Sequence, residues 1–227
     1  MRGSLTWLFD LDDTLHDATH ASFGPTRDAM ADYLVEHLAL SPDDANTLRH
    51  RYWQRYGATL LGVVRHHGIG AAHFLEQTHR LPGLEQRLRS HAPDRAALRR
   101  LRGRKVLLTN APRAYALRVL GALRLTKCFD GVIAIEDMTM FGQLRPKPDA
   151  RMFRHVLARL KLPASRCVLV EDTLAHQRAA RRVGLRTVWM QRYLGVLPRG
   201  RPPYVCARIN SLGKLATLWC TRNDLPL

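Results

Sequence analysis

The stretch Leu5-Thr6-Trp7-Leu8-Phe9-Asp10-Leu11-Asp12-Asp13-Thr14-Leu15 decides how the rest of the chain is read. It begins as a short apolar run, which predicts a buried β-strand. The run then ends in three carboxylates within four positions. Acids crowded at the end of a buried strand are costly unless something compensates them. A hard cation such as Mg2+ is the first candidate, because it takes oxygen ligands. Open α/β folds also place their ligands at the carboxyl edge of a parallel sheet. The competing reading is a plain turn, since Asp favours turns. Partners elsewhere in the chain must decide between the two.

Downstream of Leu15 the strand–helix rhythm stops. From His16 to about His91 no strand is expected, only short amphipathic helices. Pro25 suits a first helical turn, and Ala29, Met30, Tyr33, Leu34, His37 and Leu38 follow at helical spacing. Ser41-Pro42-Asp43-Asp44 is a strong helix start, with a Ser cap and Pro at the first position. Further helices carry Leu48, Tyr52, Trp53 and Tyr56, then Leu60, Leu61, Val63 and Val64, then Phe74 and Leu75. Tyr52, Trp53 and Tyr56 are expected in the core of this helical segment rather than as a base-stacking platform. His66-His67 is expected at the surface. Gly68-Ile69-Gly70 is not a dinucleotide loop, because no strand precedes it and the later glycine is missing.

The α/β rhythm returns at Pro93-Asp94. Strands are expected at Lys105–Asn110, Gly131–Ile135, Cys167–Val170, Arg186–Met190 and, more weakly, Tyr204–Ala207. Helices are expected from Arg113 to Leu123, from Pro148, from Leu174 to Val183 and from Leu212 to Leu218, with a Pro/Gly-rich loop from Gly195 to Pro203. Alternation of this kind predicts an α/β fold with a doubly wound parallel sheet, interrupted after its first strand by an all-helical insertion. The expected division is a core of residues 1–16 and 93–227 and a helical domain of residues 17–92.

Bulk composition narrows the partners. The chain has 227 residues, 46% of them hydrophobic, enough for a sizeable core. Its formal net charge is +17, and 31 of its 36 basic residues are Arg. Such a chain attracts anions. The basic residues are spread over the whole length, so most are read as solvated surface with a bias towards anionic substrates. Cys128, Cys167, Cys206 and Cys220 form no close pair and no zinc-finger spacing, which points to free thiols in a reducing compartment. The N-terminal apolar run stops at Asp10, too early for a secretory signal, and no stretch suits a membrane span. A cytoplasmic protein without membrane contact is the expectation, and composition leaves its oligomeric state open.

Several strands, or the loops after them, end in chemically useful side chains: Asp10 and Asp12, Thr109 and Asn110, Lys147, and Glu171 with Asp172. In a parallel sheet these ends gather on one edge. The set offers a carboxylate nucleophile, a second acid, a hydroxyl, an ammonium and an acidic pair, an inventory suited to phosphoryl transfer through an aspartyl-phosphate. At this point the chain resembles the haloacid dehalogenase-like hydrolases. Their Asp-x-Asp-x-Thr signature matches Asp10-Leu11-Asp12-Asp13-Thr14. Their strand-end Thr matches Thr109, their Lys before a helix matches Lys147, and their final acidic pair matches Glu171-Asp172. The helical insertion falls where that superfamily carries its first type of cap domain. One departure is His176, at a position where many relatives have Asn.

The resemblance implies roles. Asp10 is the nucleophile. Asp12 protonates the leaving oxygen and later takes a proton from water. Mg2+ is held by Asp10, the main-chain carbonyl of Asp12, and Asp172. The Thr109 hydroxyl and the backbone amides after it, beginning with Asn110, bind the phosphoryl group together with Lys147, which also offsets charge, and Glu171 positions Lys147 or a metal-bound water. Relatives that remove halide lack the second acid. Phosphonate hydrolysis in this group needs a cap Lys, and none occurs between His16 and His91. Residues 20–30 and 55–62, with Pro203 to Leu215, resemble the pyrimidine 5′-nucleotidase branch. The implied substrate is therefore a small phosphorylated anion, a nucleoside monophosphate such as UMP or CMP. The alternatives are phosphoglycolate or a sugar phosphate as substrate, or a basic nucleic-acid-binding protein that keeps the fold without the chemistry. The intact charged set counts against this last alternative.

Overall fold

The computed structural model describes residues 5–195 and 200–220. Residues 196–199 of the expected Pro/Gly loop, and the Cys220 side chain, lie outside the described residues. The strands are β1 Thr6–Phe9, β2 Arg104–Leu108, β3 Gly131–Ile133, β4 Thr139–Met140, β5 Gln143–Leu144, β6 Cys167–Glu171, β7 Arg186–Met190 and β8 Ala207–Ile209. The α-helices are α1 Gly24–Leu38, α2 Pro42–Tyr56, α3 Thr59–His67, α4 Ala71–Thr78, α5 Leu84–Arg87, α6 Ala92–Arg100, α7 Arg113–Ala122, α8 Ala150–Leu160, α9 Leu174–Arg182 and α10 Gly213–Cys220. The chain divides into two compact units, residues 1–17 with 88–227, and residues 18–87.

The first unit is the α/β core. Its six strands pair in the order β3-β2-β1-β6-β7-β8, all parallel. β1 is central, and all four of its residues are buried. A strand covered on both faces must be apolar on both, which explains the unbroken run. On one side Leu8 joins Val106, Leu108 and Leu169 against Phe153 and Val156 of α8 and Ala179 and Ala180 of α9. On the other side Phe9 meets Phe129 edge-on at 5.7 Å between ring centroids, and Trp7 donates its indole N–H to the Arg102 carbonyl at 2.9 Å. Pairing continues past β1, with the Asp10 N–H on the Val170 carbonyl at 3.0 Å. The strand that ends in carboxylates therefore sits mid-sheet, between β2 and β6.

Three elements depart from expectation. The strand expected to reach Ile135 stops at Ile133, and a 3-10 turn over Ile135–Met138 leads into the β4–β5 hairpin. The turn of that hairpin is Phe141-Gly142, both with positive φ. Strands two residues long carry no readable alternation, so the hairpin left no pattern in the sequence. The last strand begins at Ala207 rather than Tyr204, because pairing with β7 starts at Val188 opposite Ala207.

The second unit, residues 18–87, is all-helical. A π-helical turn over Thr19–Phe23 runs directly into α1. Ser41 caps α2, accepting the Asp44 N–H at 3.2 Å. Leu34, Val63 and Phe74 are fully buried. Gly62 of α3 lies under the Tyr52 ring, and a Cβ there would sit 2.2 Å from Tyr52 Cγ. Tyr52 is thus a core residue, but Trp53 is 56% exposed, which corrects the expectation that both are core. Successive helical residues point about 100° apart, so one core cannot take both. This unit holds seven basic and seven acidic side chains. The whole net charge of +17 therefore belongs to residues 1–17 and 88–227. Among the described residues, no helix is long and apolar enough to cross a membrane.

Candidate active site

The edge of the core sheet where β1, β2 and β6 end collects the charged side chains. β1 hands over to Asp10, which is buried. β6 ends on Glu171, fully buried, followed by Asp172. Lys147 precedes α8 and is also buried. Its ammonium donates to Asp10 Oδ1 at 2.6 Å and to Glu171 Oε2 at 2.7 Å. Carboxylate oxygens of Asp10, Glu171 and Asp172 lie within 4.8 Å of one another. Thr14 of the first turn donates to Asp172 Oδ1 at 3.3 Å, and Thr173 donates to its Oδ2 at 3.2 Å. The Thr173 N–H fixes Glu171 Oε1 at 3.1 Å. These bonds orient both acids of the pair before any ligand arrives.

Charge in this cluster is unbalanced. Burial, and then the negative charge of Glu171, hold the Asp10 carboxyl well above its ordinary range, with Lys147 pulling the other way. Burial, then Glu171 and Asp10, push Asp172 up to about 10. Burial opposes ionisation of Glu171 too, but the Lys147 ammonium and then His176 outweigh it and hold its pKa down. Burial likewise opposes charge on Lys147, and Asp10 and Glu171 overcome it and raise its pKa. Were all three carboxyls ionised, one ammonium would leave two negative charges, which a divalent cation would neutralise. The donor set is all oxygen, the preference of hard cations. Asp10, Glu171 and Asp172 could hold such an ion.

The remaining candidate residues surround this cluster. Asn110 follows β2, and its side-chain amide pairs twice with the main chain of Lys147. It donates to the Lys147 carbonyl at 2.9 Å and accepts the Lys147 N–H at 2.9 Å. Thr109 is buried, and its hydroxyl accepts the Ala111 N–H at 2.9 Å. Asp12 turns its carboxylate to Tyr115 and His16 instead of to the three-acid cluster. Asp13 is buried with φ +50°, in a left-handed turn. His176 Nδ1 lies 3.2 Å from Glu171 Oε2, close enough for an ion pair but off hydrogen-bond geometry.

A family profile for haloacid dehalogenase-like hydrolases matches residues 6–184. The chain belongs to this family. Solved structures share its fold at low identity. A 2-haloacid dehalogenase from Pseudomonas syringae is 21% identical, covers 96% of this chain and 99% of its own, and superposes with a TM-score of 0.61. A HAD phosphatase from Thermococcus onnurineus is 21% identical, covers 95% and 97%, and reaches 0.63. A magnesium-bound structure of YfnB from Bacillus subtilis is 19% identical, covers 96% and 99%, and reaches 0.60.

In this haloacid dehalogenase-like hydrolase, sequence patterns pointed to Asp10, Lys147, Glu171 and Asp172, and these four meet directly. They did not point to Tyr115 or to the side-chain role of His16. The signal available for His16 was its place four residues after Asp12, one helical turn on. Tyr115 is 103 residues from the acid it contacts, and nothing local marks it.

Proposed function

We propose that this hydrolase cleaves phosphate monoesters, with Mg2+ as its metal and a nucleoside monophosphate of the pyrimidine type as its substrate. The observation that carries the reading is the buried Asp10–Lys147–Glu171 contact beside Asp172, with a second acid, Asp12, two positions beyond Asp10. Asp10 attacks phosphorus, and the ester P–O bond breaks. The leaving oxygen takes the proton of the Asp12 carboxyl. Water then attacks the aspartyl-phosphate, its proton passes to Asp12, and Asp10 is released with phosphate. Lys147 offsets charge on the nucleophile and on the phosphoryl oxygens. Thr109 contributes its hydroxyl. Asn110 contributes its main-chain N–H, since Lys147 takes up its side-chain amide.

Asp10, Asp172 and the Asp12 carbonyl would hold Mg2+, which shields the carboxylate from the substrate's negative charge. A magnesium-bound relative of the same fold supports that choice of ion. The second acid separates this reading from halide removal, because a halide leaves without a proton. The narrower substrate rests on the resemblance of residues 20–30, 55–62 and 203–215 to pyrimidine nucleotidases. A cytoplasmic setting accords with the free thiols of Cys128, Cys167 and Cys206.

Phosphate release from UMP, CMP, AMP, phosphoglycolate and sugar phosphates, with Mg2+ and beside Asp10→Asn, tests the reading. UMP and CMP should lead. A flat profile removes the narrow substrate, and no turnover of any ester removes the phosphatase.

Metal uptake gives a second check. With its pKa at about 10, the Asp172 carboxyl is protonated at pH 7.5 without metal, and binding needs the carboxylate. Mg2+ titrated into the protein should therefore release protons, and calorimetric heats should change with the ionisation enthalpy of the buffer. Heats independent of buffer would contradict it. The sign for stability follows. A raised carboxyl pKa makes the metal-free fold lose stability as pH climbs from the ordinary Asp range towards 10.

A further inference from the structure

Asp12 is held by two side chains that no part of the scheme above uses. Tyr115, buried in the first turn of α7, donates its hydroxyl to Asp12 Oδ1 at 2.9 Å. His16, 1% exposed, places Nε2 at 3.0 Å from the same oxygen. Tyr115 Oη and His16 Nε2 are 3.4 Å apart and close the triangle. The main chain prepares the contact. Leu15 N–H bonds the Leu11 carbonyl at 2.8 Å, and Asp12 and His16 form a backbone bridge. Residue 16 is thereby folded back onto residue 12. The acid itself remains 21% exposed, so it is gripped from the buried side and open on the other.

Both contacts fall on Oδ1. A carboxylate oxygen with two donors has its in-plane lone pairs occupied, so a proton bound there would displace one of them. The second oxygen carries no such load. His16 must then donate from Nε2, and its Nδ1 is buried without a hydrogen-bond partner. A buried N–H without an acceptor is the costlier way to leave that atom, so a proton on Nε2 rather than Nδ1 fits. We infer that His16 and Tyr115 are positioning residues that lock the Asp12 side chain in one rotamer and make Oδ2 the oxygen that gives and takes the catalytic proton. An acid held this way needs no reorganisation when the leaving oxygen develops charge.

The inference rests on the phosphatase reading, and its test separates the two. Tyr115→Phe keeps the ring and removes the donor. His16→Gln keeps an N–H near Nε2, and His16→Ala removes it. With glycerol phosphate, whose leaving alkoxide needs a proton, kcat should fall about tenfold in Tyr115→Phe and about 30-fold in His16→Ala, less than the roughly 10^2–10^4-fold expected from losing the general acid itself. With p-nitrophenyl phosphate, a far better leaving group, kcat should stay within about threefold, and KM should hold for both esters. His16→Gln should recover most of the glycerol phosphate rate. Equal losses on both esters, or His16→Gln as slow as His16→Ala, would overturn the positioning roles while leaving the phosphatase intact. Wild-type protein that cleaves neither ester would bring down the phosphatase reading and the positioning roles together. An arm independent of turnover is 15N imidazole NMR, which should find the proton of the His16 ring on Nε2 rather than Nδ1. The opposite tautomer overturns the inference whatever the kinetics.

Discussion

Asp10→Asn is expected to end hydrolysis of every phosphate ester, lowering kcat by about 10^4-fold or more, without destabilising the metal-free protein. The two halves have one cause. Asp10 is buried beside Glu171 and Asp172, and its carboxyl is pushed well above the ordinary range. A neutral isostere removes a like charge from that cluster, and its amide oxygen can still accept the Lys147 ammonium. The proposed nucleophile is thus a residue the fold tolerates rather than needs. Thermal melts in EDTA beside phosphate-release assays check both halves. A variant with residual turnover near wild type refutes the nucleophile. One that unfolds well below wild type refutes the electrostatic account of the site.

Lys147→Met should do the opposite to stability. The Lys147 ammonium bonds both Asp10 and the fully buried Glu171. Met fills much of the volume but leaves these acids without their cation. Breaking a buried pair by removing one partner costs about 3–5 kcal/mol. Loss of charge stabilisation should lower kcat by about 10^2–10^3-fold as well. The pH dependence has a definite sign. In the wild type the Lys147 contact holds Glu171 below its ordinary value despite burial, so its stabilisation is present above the ordinary Glu range and lost in acid. In the variant the largest opposing contribution is gone and only the weaker one of His176 still counters burial, so protonation at low pH relieves the penalty. Urea melts in EDTA should therefore show a larger deficit at pH 8 than at pH 5. A deficit constant across that interval would remove Glu171 as the source.

The strand-end motifs were legible because each is a local pattern, an apolar run closing on a polar residue. Lys147 announces itself through Pro148 and the helix behind it, and Asp172 through the strand before it. The sheet does the rest, since parallel strands must end on one side. What stayed hidden depends on approach through space. The expected phosphate contact of Asn110 is through its main-chain amide, and only the fold shows what its side chain does, locking the main chain of Lys147. Tyr115 lies in an ordinary amphipathic helix, where an aromatic at a buried position is read as packing. Trp53 was misplaced for a different reason, because two adjacent large aromatics both look like core until the helix decides which one faces inward.

The division of charge between the two units bears on how substrate arrives. Under the proposed function, a phosphate dianion nearing three carboxyls is repelled over the last few ångströms, and something must carry it that far. The field of the α/β core can, with its excess of 17 positive charges against a helical unit that has none. That field reaches about 8 Å at physiological ionic strength and shrinks with added salt. The buried cluster at the strand ends is screened far less. Salt should therefore slow the encounter, seen in kcat/KM, and leave the bound reaction, seen in kcat, almost untouched. On that reading the arginines scattered over the surface would serve as an antenna for anions, set apart from the proposed site of bond cleavage.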